Sequence, residues 1–143
     1  MAEESAELFH YAFPIKDIEE TRAFYRDILG CKIVRSSERT ININFWGHQL
    51  VGHLIPEFAG KHGTNEIDGN PVPVHHFGII LDWDEWEALA DRIEKSDVEF
   101  VFEPYVRDKG KPEEEGKMFF QDPSGNTMEF KTFKNRDQIF REN

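Results

Sequence analysis

The chain runs through one order of elements twice, and that repeat limits the folds open to it more than any other feature. Its anchors are His10-Tyr11-Ala12-Phe13 and His76-Phe77-Gly78-Ile79. Each is a histidine, a small residue two positions on and an apolar residue next, with a period of about 66 residues. Residues 8–15 alternate loosely and read as a strand. Asp17 follows, with Glu20 three positions later, which is a capping-box signature. The helix it opens carries Ile18, Ala23, Phe24, Tyr25, Ile28 and Leu29 on one face and stops at Gly30. Strands are expected over 31–35, 41–46 and 49–55. In the second half the same order returns. A strand over 74–81 precedes a helix capped by Asp82 or Asp84, with Trp86, Leu89, Ala90 and Ile93 at helical spacing. Strands then follow over 98–102, 117–120 and 127–133. Pro104 is expected to break the first of these, and 107–116, with its Glu113-Glu114-Glu115 run, reads as a solvated turn. Residues 135–140 read as a short terminal helix or a loose end.

The fold class is therefore α+β, a single domain over 1–143 built as two βαβββ modules. Module one spans 8–55 and module two 74–133. Between them 56–73, rich in turn pairs and without periodicity, is a connector; 134–143 is a C-terminal tail. A formal charge of −11 argues against nucleic acid or an anionic membrane as partner. No apolar run reaches about 18 residues, so no membrane span is expected. A single cysteine, Cys31, rules out an internal disulfide and fits a reducing, cytoplasmic compartment. Residues 1–7 are acidic, lack the apolar stretch of a signal peptide and are expected to fray.

The chemistry centres on 121–130. Asp122-Pro123-Ser124-Gly125-Asn126 is dense turn chemistry between apolar runs, and reads as a hairpin. Glu129 sits inside the second strand, on the face opposite Met128 and Phe130. A pseudo-symmetric pairing of the modules would bring His10, His76 and Glu129 to a common cleft. Two imidazoles and one carboxylate with open positions form the facial arrangement of non-haem Fe(II) oxygenases, and such sets also hold Zn, Mn or Ni. His75 points to the opposite strand face from His76, and His76 is in register with His10. His48 and His62 read as structural and solvated. Tyr105 and Arg107 are candidates to line the cleft mouth and meet a substrate.

These residues resemble the vicinal oxygen chelate superfamily of glyoxalases, bleomycin-resistance proteins and extradiol dioxygenases. The likeness covers about 8–133. It rests on His10 with Phe13 and Asp17, on Arg22-Ala23-Phe24-Tyr25 with Leu29-Gly30-Cys31, on His76-Phe77-Gly78, and most of all on 120–130. Residues 35–37 and 44–50 look most like a branch of predicted extradiol-type dioxygenases. The resemblance implies a cupped mixed sheet around a divalent metal held by His10, His76 and Glu129. At the fourth family position this chain departs: Val51 mirrors Glu129. Either His53 or Gln49, on the same strand face, is then a displaced ligand or substrate contact, or the site has three protein ligands.

The resemblance implies a metal-dependent enzyme that chelates vicinal oxygens of a small substrate. Extradiol ring cleavage of an aromatic diol with Fe(II) is the first expectation, with His53 as acid–base. A glyoxalase-like lyase or isomerase is the alternative, as is a metal-free protein that binds a hydrophobic ligand. The family habit also leads us to expect a homodimer.

Overall fold

A computed structural model describes residues 7–142, so the expectation for the first six residues lies outside the described part. The architecture is α+β, and the chain divides into two compact units, Met1–Ala59 and Gly60–Asn143.

The first unit is a four-stranded sheet of β1 (His10–Ile15), β2 (Lys32–Ser36), β3 (Thr40–Phe45) and β4 (His48–Leu54), in the order β1-β4-β3-β2. β1 runs parallel to β4, with His10 opposite Gln49 and Ala12 opposite Val51; the other pairs are antiparallel. Helix α1 (Ile18–Ala23) covers the apolar side. The expected cap is present: the Glu20 amide donates to Asp17 Oδ1 at 2.7 Å, which satisfies one of the helix's unpaired N–H groups. The helix then widens into a π-helical turn, Phe24–Ile28, which carries two buried rings, Phe24 and Tyr25. Phe13, Ile15, Ile41, Ile43, Phe45 and Leu50 complete the core on this side. The remaining face holds His10, Gln49, Val51 and His53, as strand alternation requires.

In the second unit, β7 (Phe100–Arg107), β8 (Glu115–Gln121) and β9 (Thr127–Phe133) form an antiparallel sheet, with helix α2 (Trp83–Glu94) against it. The segment before α2 lies parallel to β9. The Phe77 amide donates to Thr127 O, Glu129 N to Phe77 O at 2.8 Å, Lys131 N to Ile79 O, and Leu81 N to Lys131 O at 2.8 Å. The order of the first unit thus recurs, with 77–81 in the place of β1 and β9 in the place of β4. Phe77 pairs with Met128 as Tyr11 pairs with Leu50, so Glu129 holds the position of Val51. Packing on α2 uses the other face. Trp86 donates its indole N–H to Phe130 O at 2.8 Å, and its ring lies over Gly116, where an added Cβ would come within 2.9 Å.

Four expectations change. The stretch 56–73 is not featureless. It contains a 3-10 turn (Pro56–Phe58) and most of a hairpin, β5 (Gly63–Ile67) with β6 (Asn70–Val74). Asp68 and Gly69 take the positive φ of a two-residue hairpin turn. Pro71 and Pro73 are tolerated because this two-stranded ribbon is all edge. The strand expected from residue 74 accordingly begins its ladder with β9 only at Phe77. Nor does Pro104 end β7: the edge strand carries it through a register irregularity between Phe102 and Tyr105. β7 therefore reaches Arg107, and β8 starts at Glu115, which is buried at 5% exposure rather than solvated. The terminal stretch forms a 3-10 turn, Arg136–Gln138, capped by Asn135. Among the described residues no helix is long and apolar enough to cross a membrane.

Gly78 is the tightest point of the ladder, since a Cβ there would overlap the main-chain carbonyl of Glu129. Gly78→Ala is expected to cost about 1–3 kcal/mol, the range of overpacked interiors, by urea unfolding. Unchanged stability would show that the ladder can move aside.

Candidate functional site

Glu129 lies mid-strand in β9, and its amide bonds the carbonyl of Phe77. That bond carries the preceding residue, His76, to the carboxylate. His76 Nε2 lies 3.1 Å from Glu129 Oε1. On the far side of the ring, Nδ1 lies 2.6 Å from Pro73 O. A carbonyl only accepts, so Nδ1 carries the proton and donates it. In a neutral ring Nε2 would then turn a lone pair toward a carboxylate. Only a proton or another cation between them makes that contact favourable. The Phe119 ring stands edge-on to the imidazole at a centroid distance of 5.4 Å and fixes its plane.

The carboxylate itself is buried to 10% side-chain exposure, and Oε2 has no hydrogen-bond partner. Its nearest cation is Lys117 Nζ at 4.0 Å, too long for a hydrogen bond. A buried carboxylate oxygen without a partner is costly. An imidazole nitrogen and a carboxylate oxygen, oriented from behind by a carbonyl, fit two ligands of a divalent metal ion. A proton can bridge the same two atoms. His76 titrates above the ordinary histidine range, mainly through its hydrogen bond to Glu129. Burial opposes this, the Pro73 carbonyl and the Glu129 charge assist, and Lys131 weakly opposes.

His10 sits in the first unit, exposed at the start of β1. Its Nδ1 is 2.9 Å from Gln49 Oε1, and Gln49 Nε2 donates to Asn42 Oδ1 at 3.1 Å. Gln49 therefore orients the His10 ring as Pro73 orients that of His76, and both rings keep Nε2 as the outward nitrogen. Val51 faces Ala12, and His53 is exposed at the far end of β4, opposite Pro14 and Thr40. His48 Nδ1 accepts from the Phe9 amide, His62 lies against the Gly63 carbonyl, and His75 is exposed. Among the described residues, no group of three His, Cys, Asp or Glu side chains is gathered so as to hold a metal ion.

Tyr105 and Arg107 lie on β7 opposite Lys117 and Glu115. Arg107 spends its guanidinium on Asp68 at 3.3 Å, and on Asp108 and Glu115 at 3.7 Å each. The Tyr105 hydroxyl is held above its usual range, first by burial and then by the charges of Asp68 and Glu129. Sequence reading missed Lys117, Lys131 and Glu115. Lys117 and Lys131 are direct cross-strand partners on the face of Glu129, and Glu115 lies two residues before Lys117 on the same face. Alternation along 115–121 was the available signal, but the acidic run hid its start.

The profile of the Glyoxalase/Bleomycin resistance protein/Dioxygenase superfamily matches residues 7–130. The chain belongs to that superfamily. Its fold is similar to that of a glyoxalase/bleomycin resistance protein/dioxygenase from Alicyclobacillus acidocaldarius, with a TM-score of 0.74 and 29% identity over 94% of this chain and 96% of that one. The fosfomycin resistance protein FosX of Listeria monocytogenes shares the fold at a TM-score of 0.66 and 16% identity, over 95% of this chain and all of the other. In sequence, the metallothiol transferase FosB of Lysinibacillus sphaericus is 22% identical over 91% of this chain and 84% of its own length. These relatives include a transferase and a resistance protein, and none of them singles out the extradiol branch.

The His76–Glu129 pair sets a pH dependence. A histidine raised in the folded state adds stability that is full below its unfolded pKa of about 6.5 and fades as pH rises through the folded value. Metal-free protein should lose this contribution as pH rises past the ordinary histidine range in urea unfolding. In an NMR titration His76 should have a midpoint above the ordinary histidine range, and Glu129→Gln should lower it. An unmoved midpoint would mean that the pair does not form in solution.

Proposed function

We propose that this chain is a divalent-metal-dependent enzyme acting on a small, oxygen-rich molecule, with the ion held by His76, Glu129 and His10. The reading is carried by one observation: Glu129 keeps a buried, unbonded carboxylate oxygen beside an imidazole whose other nitrogen is already committed to Pro73. His10, oriented by Gln49 with Nε2 outward, is the third ligand, from the same chain or from a second copy in a homodimer. Val51 offers no donor, so three protein ligands leave coordination positions for substrate. When bound, such an ion supplies Lewis-acid polarisation of adjacent substrate oxygens, or, as Fe(II), the redox partner an oxygenase needs. Pro73 and Gln49 hold the two imidazoles in the tautomer that ligation requires. The low exposure of Glu129 limits competition from water.

Non-redox transfer or lyase chemistry is favoured by the charged wall of Lys117, Lys131 and Glu115 around Glu129, which suits a polar substrate better than an aromatic diol. The ligand set of two histidines and one carboxylate keeps extradiol cleavage as the second reading. His53 remains its candidate acid–base, with Tyr105 as a substrate contact in either reading. Arg107, bound to three carboxylates, serves more naturally as a brace. The single buried Cys31 accords with a cytoplasmic setting.

Elemental analysis of protein purified without chelators should find a divalent ion, lost on Glu129→Ala or His76→Ala. Gln49→Ala should weaken metal affinity by about 10–100-fold, the usual effect of removing a ligand's orienting partner. A protein that takes up no metal, yet binds an apolar ligand equally well with EDTA, would overturn the enzyme reading in favour of a binding protein. Turnover that consumes oxygen would select the dioxygenase. Mixing His10→Ala with Glu129→Ala subunits tells whether the site spans two chains: regained metal binding requires that it does.

A further inference from the structure

Lys117 is the least expected residue of the second unit. Lysine is almost never buried without a partner, yet here it is 8% exposed in the middle of β8. Its ammonium has three donors, and its one polar contact among the described residues is Glu129 Oε2 at 4.0 Å. Directly across the ladder stands a second lysine, Lys131. Like charges in that arrangement repel. Lys131 leans instead toward Glu115, whose Oε2 is 3.7 Å away, buried and without a hydrogen bond. Packing does not account for Lys117: its sheet face also carries Glu115 and Glu129, yet no contact of its ammonium among the described residues reaches hydrogen-bond distance, whereas Lys131 lies 5.4 Å from the centre of the Phe133 ring.

The charge balance gives a reason. Without a metal, Glu129 is shared by His76 on one oxygen and faced by Lys117 on the other. Once Glu129 serves a divalent ion, Lys117 loses that counterion, and the face around Glu129 carries an excess of positive charge. Something negative must arrive with the substrate. Arg107 does not compete for it, because Asp68, Asp108 and Glu115 already surround its guanidinium.

We propose that Lys117, assisted by Lys131, forms an oxyanion subsite beside the metal ligands and selects substrates that carry an acidic substituent, a carboxylate or a phosphate-type group, next to the chelating oxygens. The proposal rests on the metal-centre reading above and names the substrate class for it. Metal and anion then bind cooperatively, each favouring the other by the same factor, because the ion draws Glu129 away from Lys117 and the anion takes its place.

The test uses manganese-loaded protein and three hydroxy acids that share one chelating end. Glycerate carries no further anion, tartronate adds a carboxylate, and 3-phosphoglycerate adds a phosphate. Affinities are read by calorimetry, and manganese affinity by EPR titration. At least one added anion should bind tenfold or more tighter than glycerate, and which one does so identifies the group. Lys117→Met should remove that gain while manganese still binds, at wild-type affinity or tighter. Lys131→Met should reduce the gain in part, and serves as the probe should Lys117→Met fail to fold. Equal binding of all three acids, or a gain that survives both substitutions, overturns the subsite. A wild-type protein that takes up no manganese or other divalent ion overturns the metal reading itself, and the subsite with it.

Discussion

Four main-chain hydrogen bonds between 77–81 and β9 hold the second unit in its working arrangement. They fix the first-strand segment in parallel against the last strand, and the bond from the Glu129 amide to Phe77 O brings His76 to the carboxylate. None of them involves a side chain. What they require is close approach, and Gly78 is the residue that allows it. On the opposite face Trp86 locks α2 to the same strand through the carbonyl of Phe130, one residue from Glu129. The site therefore stands on main-chain geometry supported from both sides.

Much of this was legible because it follows from local chemistry. Asp17 and Glu20 announce a cap that the helix uses, and the anchors at His10 and His76 announce equivalent neighbours, although the second anchor opens only a bridged segment beside β9 and not a full strand. The placing of Val51 against Glu129 came with the family likeness, and the strand registers agree with it. The hairpin in 63–74 was hidden by its own prolines, which read as breaks in a sheet interior but are harmless on an isolated ribbon. β7 hid in the same way behind Pro104. Glu115 was hidden for a different reason. An acidic run is normally solvated, and nothing local reveals that its last member turns inward beside Arg107 and Lys131. The tie between His10 and Gln49 required the parallel register of β1 and β4, which is non-local and cannot be read from spacing.

The electrostatics of this face bear on why so acidic a chain buries a lysine, Lys117, beside a second, half-buried one, Lys131. Glu115, Lys117, Glu129 and Lys131 occupy neighbouring positions on one sheet face, and each contact between them is longer than a hydrogen bond. Pairs this loose recover only part of the cost of removing charge from water. An interior selected for stability alone would have filled these positions with apolar residues, as the face toward α2 does with Met118, Phe120, Met128 and Phe130.

The equivalence of Val51 and Glu129 bears on how such a scaffold changes its chemistry over time. Both positions are held by backbone pairing alone, one opposite Ala12 and the other against Gly78. One unit carries an aliphatic side chain there and the other a carboxylate, with the same strand order around each. A single codon change at either place can therefore add or delete a donor without disturbing the architecture. Descendants of one ancestral half could gain, lose or relocate a ligand by point substitution, and new reactions could arise on an old frame.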